Sequence, residues 1–195
     1  NSYQKLNKIR KKNRFIKIFK NKKKGLGSAI NVGIKKSKSE YLCIFMSDLS
    51  DDTNDIIKYF KIIKKDKNLH AVFGTRFSKF SKVENYPFFK LILNRLANNL
   101  IKIITLTDYN DFTNAFKIYK KETLNKLMPL VSENFNIFLE LPLKIISRKY
   151  KYKIIPINWN GRTTGVSKFK IKEIGSMYIF TLCYCLLEKI LLNKK

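Results

Sequence analysis

Arginine, histidine, cysteine and carboxylates are all scarce in this 195-residue chain, and each shortage narrows its chemistry. A single histidine, His70, excludes a histidine-rich metal centre, and by itself it reads as structural. The three cysteines, Cys43, Cys183 and Cys185, lie in apolar runs and lack metal-ligand spacing. They read as reduced core thiols of a cytoplasmic protein, not as a disulfide framework. The uncharged apolar stretch from Gly175 to Leu187 falls short of the roughly 20 residues that a membrane-spanning helix needs, so no such helix is predicted. A signal-peptide pattern is missing too, and the chain opens at Asn1 rather than Met, as a fragment would.

What is abundant is lysine. With 41 Lys+Arg against 14 Asp+Glu the formal net charge is +27, which invites a nucleic-acid or anionic-membrane partner. The basic residues are dispersed, however, and helix-turn-helix, aromatic RNA-binding strand and zinc-ligand patterns are all missing, so nucleic acid is not expected. Lys, Asn and Ile are together in such excess that any single Lys carries little information. Only six basic residues are Arg: Arg10, Arg14, Arg76, Arg95, Arg148 and Arg162. A guanidinium offers carboxylates and phosphates a planar fork that an ammonium cannot copy, which makes these six the better markers. The length and a hydrophobic content of 45% suit one globular domain over residues 1–195.

Strand-like and helix-like segments alternate in the first half. Residues 3–12 read as a short basic amphipathic helix and "RFIKIF", residues 14–19, as a strand. "GLGSAINVGIKKS" sets Gly25 and Gly27 ahead of a helix, and "YLCIFM" is a continuous apolar run that suits a strand buried on both faces. A helix with an apolar face follows over Thr53–Lys65, then the strand "HAVFGTR". Such alternation implies right-handed crossovers and an α/β fold, with a mainly parallel sheet and flanking helices. Pro87 opens a long helix to about Leu106. "NAFKIYKK" reads as a strand, 121–128 as a short helix, and 134–150 as helical with Pro142 a kink or break. "YKIIPINW" is an edge-like strand containing Pro156, and after the loop "NGRTTGVSK" the segment Ile171–Leu192 is an apolar helix.

Four of the 14 carboxylates fall between Asp48 and Asp55, directly after "YLCIFM". Open α/β sheets bind ligands at the carboxyl ends of their strands. There Asp48, Asp51 and Asp52 could share a hard cation such as Mg²⁺ or Mn²⁺ with a diphosphate. The competing account is local: Ser50 or Asp51 caps the next helix, while Asp52 and Asp55 complement its dipole. Asp48 lies a turn too early to cap, which favours the cation for it. Arg76 ends the next strand and points into the same rim as an anion partner. Arg162 and Lys168 flank Gly165 in a loop that can fold over a diphosphate.

The order of "GLGSAINVGIKKSKSEYLCIFMSDLSDD", "VFGTRF", "LILNRLANNL", "YNDFTNAFKIYKKE" and "FNIFLELPLKIISRKYKYKIIPINWNGRTTGVSKFKIKEI" resembles family 2 glycosyltransferases, closest to the dolichol-phosphate mannosyltransferase-like, polyprenyl-phosphate sugar synthase branch. The resemblance implies the GT-A nucleotide-diphospho-sugar transferase fold, a nucleotide-sugar donor, a polyprenyl-phosphate acceptor, and inverting transfer assisted by Mg²⁺ or Mn²⁺. By the same resemblance the Asp-x-Asp motif falls on Met46-Ser47-Asp48, with Asp48 its second aspartate and Ser50 a further metal-side position. The first aspartate is Met46 here, so Asp51 or Asp52 would have to substitute. Arg76, Lys90 and Asn94 match the positions that hold the acceptor phosphate, and Arg162 and Lys168 the loop on the donor diphosphate. Asp111 matches an acidic position near the acceptor. Family members open with a further βα unit that binds the base and ribose, so the resemblance implies an N-terminally incomplete domain. Whether this chain acts without that unit stays open.

Residues 87–106 combine Phe88, Phe89, Leu91, Ile92, Leu93, Leu96 and Leu100 with Lys90, Arg95 and Lys102, as interfacial helices do. Core packing is the other account of this helix and of the apolar helix at 170–192. The leading expectation is a cell-envelope glycosyltransferase peripheral to the cytoplasmic membrane. Its alternatives are transfer to a sugar hydroxyl during surface-polysaccharide assembly, with Asp111 as base, and a basic noncatalytic or nucleic-acid-binding module.

Overall fold

Residues 2–161 and 171–192 are described in the computed structural model. In chain order the elements are α1 (Ser2–Lys12), α2 (Leu26–Lys36), β1 (Tyr41–Ile44), α3 (Thr53–Lys65), β2 (Ala71–Thr75), β3 (Val83–Glu84) and α4 (Phe88–Thr105). They continue with β4 (Lys117–Lys120), α5 (Lys121–Lys126), α6 (Ile137–Ser147), β5 (Tyr152–Pro156), β6 (Trp159–Asn160) and α7 (Ile171–Leu192). The main sheet has the order β1-β4-β2-β5, and β3 pairs with β6 in a second, two-stranded sheet. β4 runs antiparallel to both β1 and β2, while β5 runs parallel to β2. Three of the four strands therefore share one direction, as expected of a mainly parallel sheet, with β4 inserted against them.

Every residue of β2 is buried, which marks it as central. Its side chains alternate between two cores, as a strand's geometry requires. Ala71 and Phe73 join Tyr119, Leu124, Ile101 and the buried face of α6 on one side. Val72 joins Ile118, Phe116, Tyr59 and Ile63 under α3 on the other. α3 begins where Asp52 caps it, its carboxylate accepting the Asn54 amide at 2.8 Å. Gly25 enters α2 at φ 114°, and a Cβ there would lie 2.1 Å from the Glu133 carbonyl oxygen, so only glycine fits.

Three local expectations are corrected. Residues 14–19 form no strand: among the described residues no strand lies alongside them, and an unpaired strand leaves its backbone groups unsatisfied. Pro142 neither ends nor divides α6, which runs through it. α7 is 22 residues long, and Gly175–Leu192 is long and apolar enough to cross a membrane by length and composition, with 11% of that window buried. The apolar run continues past Glu188 and Lys189, which interrupt it in the sequence. On its inner side α7 packs on α6: Thr181 and Cys185 are buried, Asn136 Nδ2 donates to the Thr181 hydroxyl at 2.9 Å, and Glu188 meets Lys144 and Arg148.

Candidate functional site

Because β1, β2 and β5 share a direction, their carboxyl ends open onto one rim. From β1 the chain enters the acidic loop at 45–52, from β2 it reaches Arg76, and from β5 it reaches Trp159. β4 starts at the same edge, so the segment before it, carrying Asp111, arrives there too.

At the centre Arg76 and Asp111 form a closed pair. The Arg76 amide and Nε donate to Asp111 Oδ2 at 2.8 and 2.9 Å, and Nη2 donates to Oδ1 at 2.7 Å. Arg76 is 7% exposed and Asp111 0%. Burial works against the Arg76 charge, but Asp111 outweighs it and holds the guanidinium above its ordinary value. Phe77, Tyr86 and Trp159 lie around the guanidinium at 5.3, 5.8 and 5.7 Å from their ring centres. This bears on two expectations. Nε and Nη2 of Arg76 are taken, leaving Nη1 as the nitrogen of the fork without a hydrogen bond among the described residues. Asp111 has both oxygens engaged away from solvent and cannot reach a substrate as a base.

Beneath this pair lies a lysine that the sequence reading passed over. Lys117 is fully buried, and its ammonium donates to the Phe112 carbonyl at 3.0 Å and to that of Asn114. Burial brings Lys117 down to about 7, against the pull of Asp111 and Asp51, while Arg76 lowers it further. Tyr109 and Asn114 bind the same segment to the end of β2, through the Gly74 carbonyl at 3.1 and 3.2 Å.

Where the resemblance put the acceptor phosphate, Asn94 is half-buried, and its Nδ2 donates to the Tyr86 hydroxyl at 3.2 Å and to that of Thr113 at 3.1 Å. Asn98 Nδ2 in turn donates to Asn94 Oδ1 at 2.6 Å. Lys90 lies one turn earlier on the same face of α4, half-buried and without a hydrogen bond among the described residues. The structure thus brings Arg76, Asn94 and Asp111 together through Tyr86 and Thr113, with Lys90 at their border.

The acidic loop divides its residues between the two roles foreseen. Asp52 is the helix cap, in place of the expected Ser50 or Asp51, because its carboxylate is the one that meets the Asn54 amide. Asp48 is exposed, with Oδ1 accepting the Ser50 amide at 3.3 Å. The Ser50 hydroxyl and Asp51 Oδ1 are buried without a hydrogen-bond partner. Burial pushes the Asp51 carboxyl up to about 6; Arg76 and Lys117 oppose that, while Asp48 and Asp111 add to it. Met46, at the first motif position, packs against the larger core. Among the described residues no three His, Cys, Asp or Glu side chains gather as a metal centre. The open Asp48 and the two unpartnered oxygens suit a cation shared with substrate phosphates, which needs only one or two protein carboxylates. Arg162 and Lys168 lie outside the described residues.

Trp159, Tyr86 and Lys117 are the site residues that sequence reasoning missed. Trp159 carried a usable signal, because it is the sole tryptophan. Lys117 carried none in so lysine-rich a chain.

A family model described as glycosyl transferase family 2 matches residues 1–128. Over 162 residues the chain is 29% identical to a dolichol-phosphate mannosyltransferase of Pyrococcus furiosus, covering 80% of this chain and 44% of that protein. It is 25% identical over 122 residues to a polyprenol monophosphomannose synthase of Mycolicibacterium smegmatis, covering 56% of this chain and 46% of that protein. The chain spans about half the length of these relatives. Among solved structures, glucosyl-3-phosphoglycerate synthase of Mycobacterium tuberculosis, in complex with Mn²⁺, UDP-glucose and phosphoglyceric acid, matches with a TM-score of 0.59 at 13% identity, covering 84% of this chain and 55% of that one. The fold is the GT-A glycosyltransferase fold, and with its family pattern running from α1 through α5, the chain belongs to glycosyl transferase family 2.

Proposed function

We propose that the protein moves a sugar from a nucleotide-diphospho-sugar to a polyprenyl phosphate at the cytoplasmic face of a membrane, with inversion at the anomeric carbon. The names of its relatives point to such an acceptor. The observation that carries the reading is the placement of α4. It leaves the acceptor rim at Tyr86 and Asn94 and presents an apolar face to solvent, with Phe88 77%, Phe89 67% and Leu96 61% exposed. A polyprenyl chain needs apolar surface beside its phosphate, whereas a soluble sugar acceptor does not.

A phosphate monoester is largely ionised at neutral pH, so this acceptor needs no base. The residues then have to place it in line behind the anomeric carbon and exclude water. Lys90, Asn94 and the free edge of Arg76 receive the phosphate, while Asp111 holds Arg76 in place. Asp48 would hold Mg²⁺ or Mn²⁺ with the donor diphosphate, with Ser50 and Asp51 beside it; such a cation offsets the charge of the departing nucleoside diphosphate. Arg162 and Lys168 are assigned to the same diphosphate. Transfer to a sugar hydroxyl would require a carboxylate base, and Asp111 is locked against Arg76.

The test is radiolabelled sugar transfer by the full-length enzyme, offered polyprenyl phosphate and saccharide acceptors side by side. Label is expected in the lipid fraction and lost in Asp48→Asn. Label confined to saccharide, with the Lys90→Ala variant unimpaired, would overturn the acceptor assignment.

A further inference from the structure

Residues 158–161 lie between the acidic loop and β3, in a patch to which the proposed chemistry assigns no role. On one side Trp159 bridges Asp51, and the Asn160 amide donates to the Ser50 carbonyl at 2.9 Å. On the other, the amides of Trp159 and Gly161 donate to the carbonyls of Lys82 and Glu84, each at 2.9 Å. The Lys82 amide returns a bond to Asn158 Oδ1 at 3.0 Å. Gly161 allows this close approach: a Cβ there would lie 2.2 Å from the Asn85 carbonyl oxygen and 3.1 Å from the Trp159 ring. One short strand thus ties the acidic loop to the loop that carries Tyr86.

The Trp159 side chain extends that tie inward. Its half-buried ring lies 4.8 Å from the ring of Tyr86 and 5.7 Å from the Arg76 guanidinium carbon. Tyr86 passes the contact on, its hydroxyl accepting Asn94 Nδ2 at 3.2 Å. Arg76 is already pinned by Asp111, so the remaining freedom of the acceptor side lies in Tyr86 and Asn94, and Trp159 is the surface against which Tyr86 rests. An aromatic pair of this kind is stabilised beyond its buried area, which favours one side-chain arrangement.

We propose that Trp159 is a positioning residue for the acceptor: its ring holds Tyr86 and Arg76 at the spacing that receives a phosphate monoester, while its backbone keeps the acidic loop in register. The inference rests on the phosphate-acceptor reading above. Trp159 is the only tryptophan of the chain, so its fluorescence reports on its own surroundings. Citronellyl phosphate, a short soluble polyprenyl phosphate, is expected to change that emission and to bind measurably in calorimetry. Trp159→Leu should weaken citronellyl phosphate binding at least tenfold while leaving Mn²⁺-pyrophosphate binding within twofold, and Trp159→Phe, which keeps a ring, should restore most of the loss.

Unchanged citronellyl phosphate affinity in Trp159→Leu, or equal loss of both ligands, overturns the positioning role. Should Trp159→Leu fail to fold, Tyr86→Leu removes the other half of the contact and must reproduce the acceptor-selective loss. An unsubstituted chain that binds no citronellyl phosphate defeats the acceptor reading and this inference with it. Binding that the substitutions leave intact defeats the inference alone.

Discussion

Arg76 and Asp111 show how a residue can be singled out by scarcity while its partner within the chain goes unforeseen. Scarcity singled out Arg76 as an anion partner, and its partner is an anion, but it is Asp111 of the same chain. Removing one member of a buried ion pair strands the other, at a cost of about 3–5 kcal/mol. Asp111→Asn is therefore expected to lower the free energy of urea unfolding by about 3 kcal/mol. Unaltered stability with activity lost would show instead that Asp111 acts on substrate. Lys117 makes a pH-dependent prediction. Its folded value is about 7, below the ordinary lysine value, so between the two the unfolded chain binds a proton that the folded chain does not. Stability contributed by this group accordingly rises as pH climbs from about 7 towards 10. Thermal melting at pH 7 and pH 9 should show that rise, and Lys117→Met should flatten it. None of this was legible beforehand, because burial distinguishes Lys117 from the other lysines and composition does not record burial.

At the scale of elements, the strands in "YLCIFM" and "HAVFGTR" and the helix over Thr53–Lys65 were legible, because apolar runs mark the strands and apolar periodicity the helix; β1, however, ends at Ile44 and is a half-buried edge strand instead of one buried on both faces. The failures needed information from elsewhere in the chain. "RFIKIF" has strand composition but no strand beside it, and the place of β4 between β1 and β2 depends on pairing that local pattern does not encode. The acidic loop was half legible, since its two readings differ only in which oxygen is already bonded. Asp52→Ala should cost α3 about 1 kcal/mol in chemical denaturation without moving the Mn²⁺ concentration required for transfer. Asp48→Asn should leave denaturation unchanged and abolish transfer. An increased Mn²⁺ requirement in Asp52→Ala would return Asp52 to the cation. For α4, the exposed Phe89 and Leu96 predict that the Phe89→Ser, Leu96→Ser double variant binds anionic vesicles at least roughly tenfold more weakly, at an unchanged unfolding midpoint. Vesicle binding equal to that of the unsubstituted protein would assign the stripe to another partner.

Across the whole molecule, the carboxyl-end rim, the exposed face of α4 and a net charge of +27 point to one working arrangement. Under the proposed function the enzyme would rest on an anionic membrane, with its acceptor rim at the head of an apolar stripe. Charge attracts it only within about 8 Å of the surface at physiological salt, so apolar contact has to hold it there. The shared strand direction was legible from the alternation of segments, and with it the rim that the acidic loop and Arg76 both reach. The stitching of the rim by Trp159 was not, because β3 and β6 are two residues each and carry no periodicity. The central claim concerns which bond the enzyme makes, and phosphorus NMR of the full-length protein with a nucleotide sugar, Mn²⁺ and citronellyl phosphate observes that bond. The predicted result is conversion of the phosphomonoester resonance to a phosphodiester, matched one for one by released nucleoside diphosphate. Transfer of the sugar to an added saccharide, with nucleoside diphosphate released and the phosphomonoester untouched, would contradict it.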